Sequence, residues 1–239
     1  MPSSASSTRV GRTRTLRSPG PHRDQRPSPR PVEPPRAQRR EAPGPHSAAH
    51  LLTDRLRLDA VVPDDLDEHF ALMSDPGVWA HLPSGRHREP ARTMEGIRHS
   101  VGHWDRDGLG YWTARLRADL PGTALRAGDV VGTGGCALRV GTSWWNLYYR
   151  LTPPAWGRGL AAELVDAALA AAHAVAPERP VVAYLLEHNV QSRGRAERAG
   201  LTLLWRGPDA GNPDPSAVRL VYADRPLGDD VLAHITELA

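Results

Sequence analysis

Between Asn146 and Val175 the sequence changes character twice within a few residues. An aromatic-rich run, Asn146-Leu147-Tyr148-Tyr149-Arg150-Leu151, is closed by Pro153-Pro154 and followed by Trp156-Gly157-Arg158-Gly159-Leu160-Ala161. An alanine-rich stretch then runs to about Val175, with Leu160, Leu164 and Leu169 spaced toward one side of a helix. This is a strand, a glycine turn and a helix in immediate succession. Glycines let the backbone approach a ligand without Cβ interference. The first free N–H groups of the helix and its dipole make a site for an anion, most naturally a pyrophosphate. Arg158 adds a positive charge at the mouth. Taken alone, the segment is equally readable as an ordinary connection with glycines for tight packing.

The rest of the chain surrounds this segment with alternating elements. Leu51 to Leu58 ends in alternating apolar and charged residues and reads as a strand. Asp64 or Asp65 caps a helix presenting Leu66, Phe70 and Met73, and Asp75-Pro76-Gly77 stops it. A second helix spans about Pro90 to Trp104 with Met94, Ile97 and Val101 inward. Tyr111–Leu116, Val130–Val140 and Trp144–Leu151 read as strands. Gly132-Thr133-Gly134-Gly135 hints at a dinucleotide loop, but no helix follows it, so it reads as a strand with a bulge. Val181 to Leu186 is a continuous apolar run, as for a strand buried on both faces. Asn189 to Ala199 is a short helix closed by Gly200. Leu201–Trp205 and Ala217–Tyr222 are the last strands. The order is that of a mixed α/β domain.

Composition separates the N-terminus from this domain. Residues 1–46 are mostly Pro, Arg, Ser and Thr, too poor in apolar side chains to offset the entropy of ordering, so a disordered tail is expected there and one domain over 47–239. The tail carries ten Arg against three acids; taking its +7 from the chain's +3 leaves −4 for the domain. A nucleic-acid partner is therefore conceivable only through the tail. The single cysteine, Cys136, excludes an internal disulfide and a thiolate metal cluster, and it reads as a small core residue. No Ser-His-Asp order or His/Cys metal spacing is present, so no metal is expected. No run approaches the roughly 18 apolar residues of a membrane span, and no secretory signal opens the chain. A cytoplasmic location follows by default.

A second cluster lies one strand beyond the glycine turn. Asn189-Val190-Gln191-Ser192 opens the helix after the buried strand. Asn189 offers both a donor and an acceptor to an amide-containing ligand. Ser192 reads either as a plain helix cap or as part of the same site. Arg193, Arg195 and Arg198 read as a solvated face or as a further phosphate contact.

In combination these segments resemble the GNAT superfamily of N-acetyltransferases, and within it the RimJ/RimL-type branch. The likeness covers about Leu51 to Tyr222. It rests on Leu52-Thr53-Asp54-Arg55-Leu56-Arg57-Leu58, on Tyr149-Arg150-Leu151 through Gly159-Leu160-Ala161-Ala162-Glu163, and on Asn189-Val190-Gln191-Ser192 continuing to Gly200-Leu201. The resemblance implies a GNAT fold: a mixed central sheet of about six to seven strands flanked by about four helices, splayed at the acetyl-CoA cleft. Leu151, Trp156, Gly157, Arg158, Gly159, Leu160 and Ala161 would then bind the cofactor, the glycine turn taking its pyrophosphate, with Asn189 on the pantetheine arm and Ser192 near the sulfur or the arm. The family's loop begins with Arg or Gln where this chain has Trp156, so backbone N–H groups must carry most of the anion binding.

The chemistry implied is transfer of an acetyl group from acetyl-CoA to a primary amine, by direct attack in a ternary complex. It requires in-line positioning, an oxyanion donor, a proton acceptor and a proton donor. Ser192 is a candidate donor. Many relatives carry a glutamate where this chain has Asn146. Glu187 and His188, at the end of the next strand, are the candidate bases within reach; His173 reads as a surface residue. Asn146 keeps open the alternative of a non-catalytic acyl-CoA-binding module, and a third reading assigns function to the basic tail. A monomer or a homodimer is compatible with the pattern.

Overall fold

The computed structural model describes residues 48–138 and 141–237. The expected tail over 1–46 and the end of the strand drawn to Val140 lie outside the described residues. Eight strands form one sheet in the order β1-β2-β3-β4-β5-β6-β8-β7. They are β1 (His50–Leu52), β2 (Leu56–Ala60), β3 (Tyr111–Leu116), β4 (Val130–Leu138), β5 (Trp145–Leu151), β6 (Val181–Leu186), β7 (Thr202–Pro208) and β8 (Val218–Ala223). The helices are α1 (Leu66–Ser74), α2 (Pro90–Asp107), α3 (Leu160–Val175), α4 (Val190–Arg198) and α5 (Asp229–Glu237). Neighbouring strands run antiparallel except β5 and β6, which are parallel. Among the described residues, no helix is long and apolar enough to cross a membrane.

The main core lies where α3 packs on the sheet. Leu160, Leu164, Val165, Ala168 and Ala172 meet Trp145, Leu147, Leu151 and Val181. Alternation along β5 sends Leu147, Tyr149 and Leu151 to that side. Tyr148 and Arg150 point the other way, toward α1: the Tyr148 hydroxyl approaches Met73 Sδ at 3.8 Å, and the Arg150 guanidinium lies 3.5 Å over the Trp79 ring. A smaller core of Trp144, Val182, Val221, Ala223 and Ile235 sits under α5. Cys136 is fully buried, and burial pushes its thiol well above the usual range.

Several expectations need correction. The single strand read over Leu51–Leu58 is a hairpin: His50 pairs with Asp59 and Leu52 with Arg57 around the turn at Thr53-Asp54-Arg55. In α1 the buried side chains are His69 and Leu72, not Leu66, Phe70 and Met73. A hydrophobicity pattern cannot see that His69 finds a buried hydroxyl. In α2 the buried set is Thr93, Ile97 and Ser100. Helix α5 and the hairpin account for the elements beyond those expected.

Candidate functional site at the parting of two strands

Strands β5 and β6 pair only at Trp145–Val181 and Asn146–Val182. Beyond these residues β5 follows β4 to Leu151 and β6 follows β8 to Leu186, so the parallel pair parts into a cleft. The cleft holds a cavity of about 500 Å³ against the start of α3 and a deeper one of about 150 Å³. The two share walls at His81, Tyr149, Arg150, Asn189, Ser192 and Arg195.

The outer cavity is closed by the glycine turn. Leu151, Trp156, Gly157, Gly159, Leu160 and Ala161 all line it. The indole of Trp156 donates to the Leu151 carbonyl at 2.8 Å, which bends the loop back over the end of β5. Gly159 sits at φ 80° immediately before α3, whose first turn carries N–H groups with no intrahelical acceptor. The structure revises the reason for this glycine. A Cβ there would meet the Arg55 guanidinium at 3.2 Å, so left-handed backbone and the packing of Arg55 demand glycine on that side. Arg158 also departs from expectation and is absent from the cleft lining. Its guanidinium donates to the carbonyls of Pro154 (3.2 Å), Pro121 (2.7 Å) and Gly122 (3.5 Å), because the β3–β4 loop offers acceptors on that side.

The turn is anchored from a distant part of the chain. Glu163, in the first turn of α3, accepts hydrogen bonds from the Thr53 hydroxyl, the Arg55 N–H (2.7 Å), Arg55 Nε (2.9 Å) and the Leu56 N–H (3.2 Å). Arg55 Nη1 also donates to the Arg158 carbonyl at 2.7 Å. Burial alone would raise the Glu163 pKa, but the bonds from Thr53 and Arg55 prevail and hold it below the usual carboxylate value. The Thr53-Asp54-Arg55-Leu56 run and Glu163 are thus one clamp on the anion-facing turn.

The opposite wall comes from α4. Asn189 caps the helix, its Oδ1 accepting the Ser192 N–H at 3.2 Å. Tyr149, which sequence reasoning overlooked, donates its hydroxyl to Ser192 Oγ at 3.5 Å. Burial raises the Tyr149 pKa, so this phenol stays protonated at neutral pH. Arg195 lines both cavities, and its buried Nε has no hydrogen-bond partner among the described residues. Such an orphaned donor beside the free N–H groups of α3 suits an anionic or amide-rich ligand.

The carboxylate expected near the reaction is not there. Glu187 is held by Arg206, which reaches from β7 across β8, at 2.6 and 2.9 Å, and it lines neither cavity. His188 Nε2–H donates to the His81 carbonyl at 2.8 Å. His173 is exposed and pairs with Asp224. Asn146 Nδ2 donates to the Tyr111 hydroxyl at 2.9 Å. Among the described residues, no Asp or Glu lines either cavity. A single histidine, His81, stands there instead. His81 lines both cavities, and burial, with Arg150 and His188 nearby, pushes its pKa down to about 4. Among the described residues, no group of three or more His, Cys, Asp or Glu is arranged to hold a metal ion.

Comparison with known proteins agrees with this geometry. Residues 55–202 match the family model described as the acetyltransferase (GNAT) domain. An acetyltransferase from Agrobacterium tumefaciens str. C58 is 26% identical with a TM-score of 0.57, over 74% of this chain and 94% of that one. RimL, a ribosomal L7/L12 α-N-protein acetyltransferase solved with coenzyme A, is 17% identical with a TM-score of 0.57, over 72% and 95%. The microcin C7 self-immunity acetyltransferase, solved with acetyl-CoA and AMP, is 13% identical with a TM-score of 0.55, over 72% and 92%.

Proposed function

Since the chain belongs to the GNAT acetyltransferase family, we propose that it transfers an acetyl group from acetyl-CoA to a primary amine, on a protein N-terminus or a small molecule, within a ternary complex. The observation that carries this reading is the parting of β5 from β6 after two paired residues, with the start of α3 at one end of the cleft and Asn189 and Ser192 along its side. Solved relatives of the same fold hold coenzyme A or acetyl-CoA, and one acts on a protein α-amine.

In this reading the N–H groups of residues 157–161 face the pyrophosphate, and Arg195 supplies the nearby cationic donor. The backbone of β5 beyond Asn146 and the Asn189 amide orient the pantetheine arm. Ser192 passes a proton to the departing thiolate, with the Tyr149 hydroxyl behind it as the next donor in line. The acetyl-CoA is a substrate, and its thioester supplies the activated acyl group. The cytoplasm, where acetyl-CoA and amines meet, is the proposed site of action.

Titration calorimetry with acetyl-CoA, with desulfo-CoA as a second ligand, tests the reading. Binding in the micromolar range is expected, about −8 kcal/mol, followed by thiol release when amines are added. Absence of binding to either ligand rejects the cleft assignment. That no Asp or Glu lines the cleft among the described residues favours a second reading, an acyl-CoA-binding module without turnover. Binding without thiol release across an amine panel would establish that alternative.

A further inference from the structure

A separate cavity of about 310 Å³ lies on the other face of the sheet, between α1, α2 and the strands β3 to β5. Its inner wall holds His69, which is only 5% exposed. His69 Nε2 lies 2.9 Å from Thr113 Oγ1, and Thr113 donates its one hydroxyl proton to Asp65 Oδ2 at 2.6 Å. Asp65 is fixed as a carboxylate acceptor. Oδ2 also takes the Val62 N–H at 3.1 Å, and Oδ1 takes Arg115 Nη2 at 2.7 Å. A hydroxyl whose only proton is committed can meet the ring solely as an acceptor. Nε2 therefore carries the hydrogen, and in the neutral ring Nδ1 is left as a lone pair. Among the described residues, the ring's hydrogen bond is the one from Nε2 to Thr113, and none reaches Nδ1. Helix α1 thus presents an oriented proton acceptor, backed by a hydroxyl and a carboxylate, to an open cavity.

This cavity and the inner end of the cleft share one side chain, Tyr148 of β5. The acyl group in the cleft and a guest in the cavity would therefore approach the same residue from two sides. Resting on the acetyltransferase reading above, we infer that this cavity seats the acceptor's primary amine and that His69 Nδ1 takes the ammonium proton. In the step, an N–H bond of the ammonium breaks and its electron pair stays on nitrogen, while the proton forms an Nδ1–H bond. The amine then bonds to the acetyl carbon as the C–S bond breaks. The second proton lost from nitrogen ends on the thiolate. The new imidazolium keeps its Nε2–H bond to Thr113, and Asp65 balances its charge.

The surroundings suit a neutral resting histidine. Burial lowers the His69 pKa and Arg115 lowers it further, against the raising effects of Asp65 and Glu68. From α2 the exposed Arg92, Glu95 and His99 stand at the cavity rim. His87, bonded through Nδ1 to Thr93 Oγ1 at 2.8 Å, and the phenols of Tyr111 and Tyr148 complete its titratable lining.

The test takes the full chain with 15N-labelled histidine and titrates n-butylamine in the presence of desulfo-CoA. His69 is expected in the Nε2–H tautomer, its Nδ1 signal shifting saturably with the amine. Thr113→Val is expected to remove the single tautomer. An Nδ1–H tautomer, or an Nδ1 signal indifferent to the amine, overturns the inference without any need for turnover. In thiol-release assays with n-butylamine or a serine-initiated tetrapeptide, His69→Gln should lower kcat by about a hundredfold or more, with KM for acetyl-CoA unchanged. Added imidazole should restore part of the rate to His69→Ala. An unchanged kcat, or a loss confined to KM for acetyl-CoA, overturns the inference. Failure of the wild type to bind acetyl-CoA in calorimetry would instead reject the cleft assignment, leaving the tautomer result to stand by itself.

Discussion

Gly159 shows how one residue serves two constraints. Its φ of 80° is left-handed, and the volume a side chain would need is taken by Arg55. Gly159→Ala should cost about 1 kcal/mol from backbone strain, more if Arg55 is displaced. The same displacement loosens the anion-facing turn, so the Kd for acetyl-CoA should rise about tenfold, or ~1.4 kcal/mol, by calorimetry. Unchanged affinity would mean that the turn does not depend on this packing. Arg150 makes the complementary point. It stacks on Trp79, its Nε donates to the Tyr148 hydroxyl at 2.8 Å, and among the described residues no carboxylate pairs with it. A strand-end arginine carries no mark of this stacking in the sequence, since Trp79 lies 71 residues away, whereas Tyr148, two residues back, shares its face of the strand.

Between elements, the decisive contact is the clamp of the β1–β2 turn on the first turn of α3. Four donors converge on Glu163, and three of them are fixed by the hairpin backbone or by Thr53. Glu163→Gln removes the charge that makes these bonds strong and should destabilise the fold by about 2 kcal/mol. The folded pKa of Glu163 lies below its unfolded value. Its contribution is therefore present above the unfolded carboxylate pKa and lost as pH falls through the folded one. The difference in thermal midpoint between wild type and Glu163→Gln should accordingly be full at neutral pH and shrink in acid. A difference independent of pH would show that packing, not charge, holds the clamp. The motifs at both ends of this contact are legible in the sequence, but that they touch is not, because 107 to 110 residues separate them.

For the whole molecule, two histidines with lowered pKa, the buried His69 and the half-buried His81, contribute to the response to acid. His81 is pushed down to about 4 and His69 is also lowered. The unfolded chain takes up these protons near the ordinary histidine pKa, whereas the folded chain resists until lower pH. In the interval the unfolded state binds more protons, so stability falls as pH drops from above 6 toward 4. Thermal melts at stepped pH should show this decline, with a shallower slope in His81→Asn. A melting temperature flat across that interval would contradict the burial of these rings.

The glycine turn, the alanine-rich helix and the apolar β6 run announce themselves because each is a local pattern: a backbone requirement, a helical spacing, a fully buried strand. Together with the Asn189–Ser192 start of α4 they bring the fold family and the cleft within reach of sequence reading. What depended on the three-dimensional arrangement was every relation across the sheet. Arg206 of β7 reaches across the intervening β8 to hold Glu187 at the end of β6, outside the cleft lining. The packing of α1 on β3 turns His69, which reads locally as a polar interruption of an apolar face, into the buried end of a relay from Asp65 through Thr113. Local spacing encodes which elements form. Which side chains share a cavity is settled by pairings between residues far apart in the chain, and those exist only once the sheet has closed.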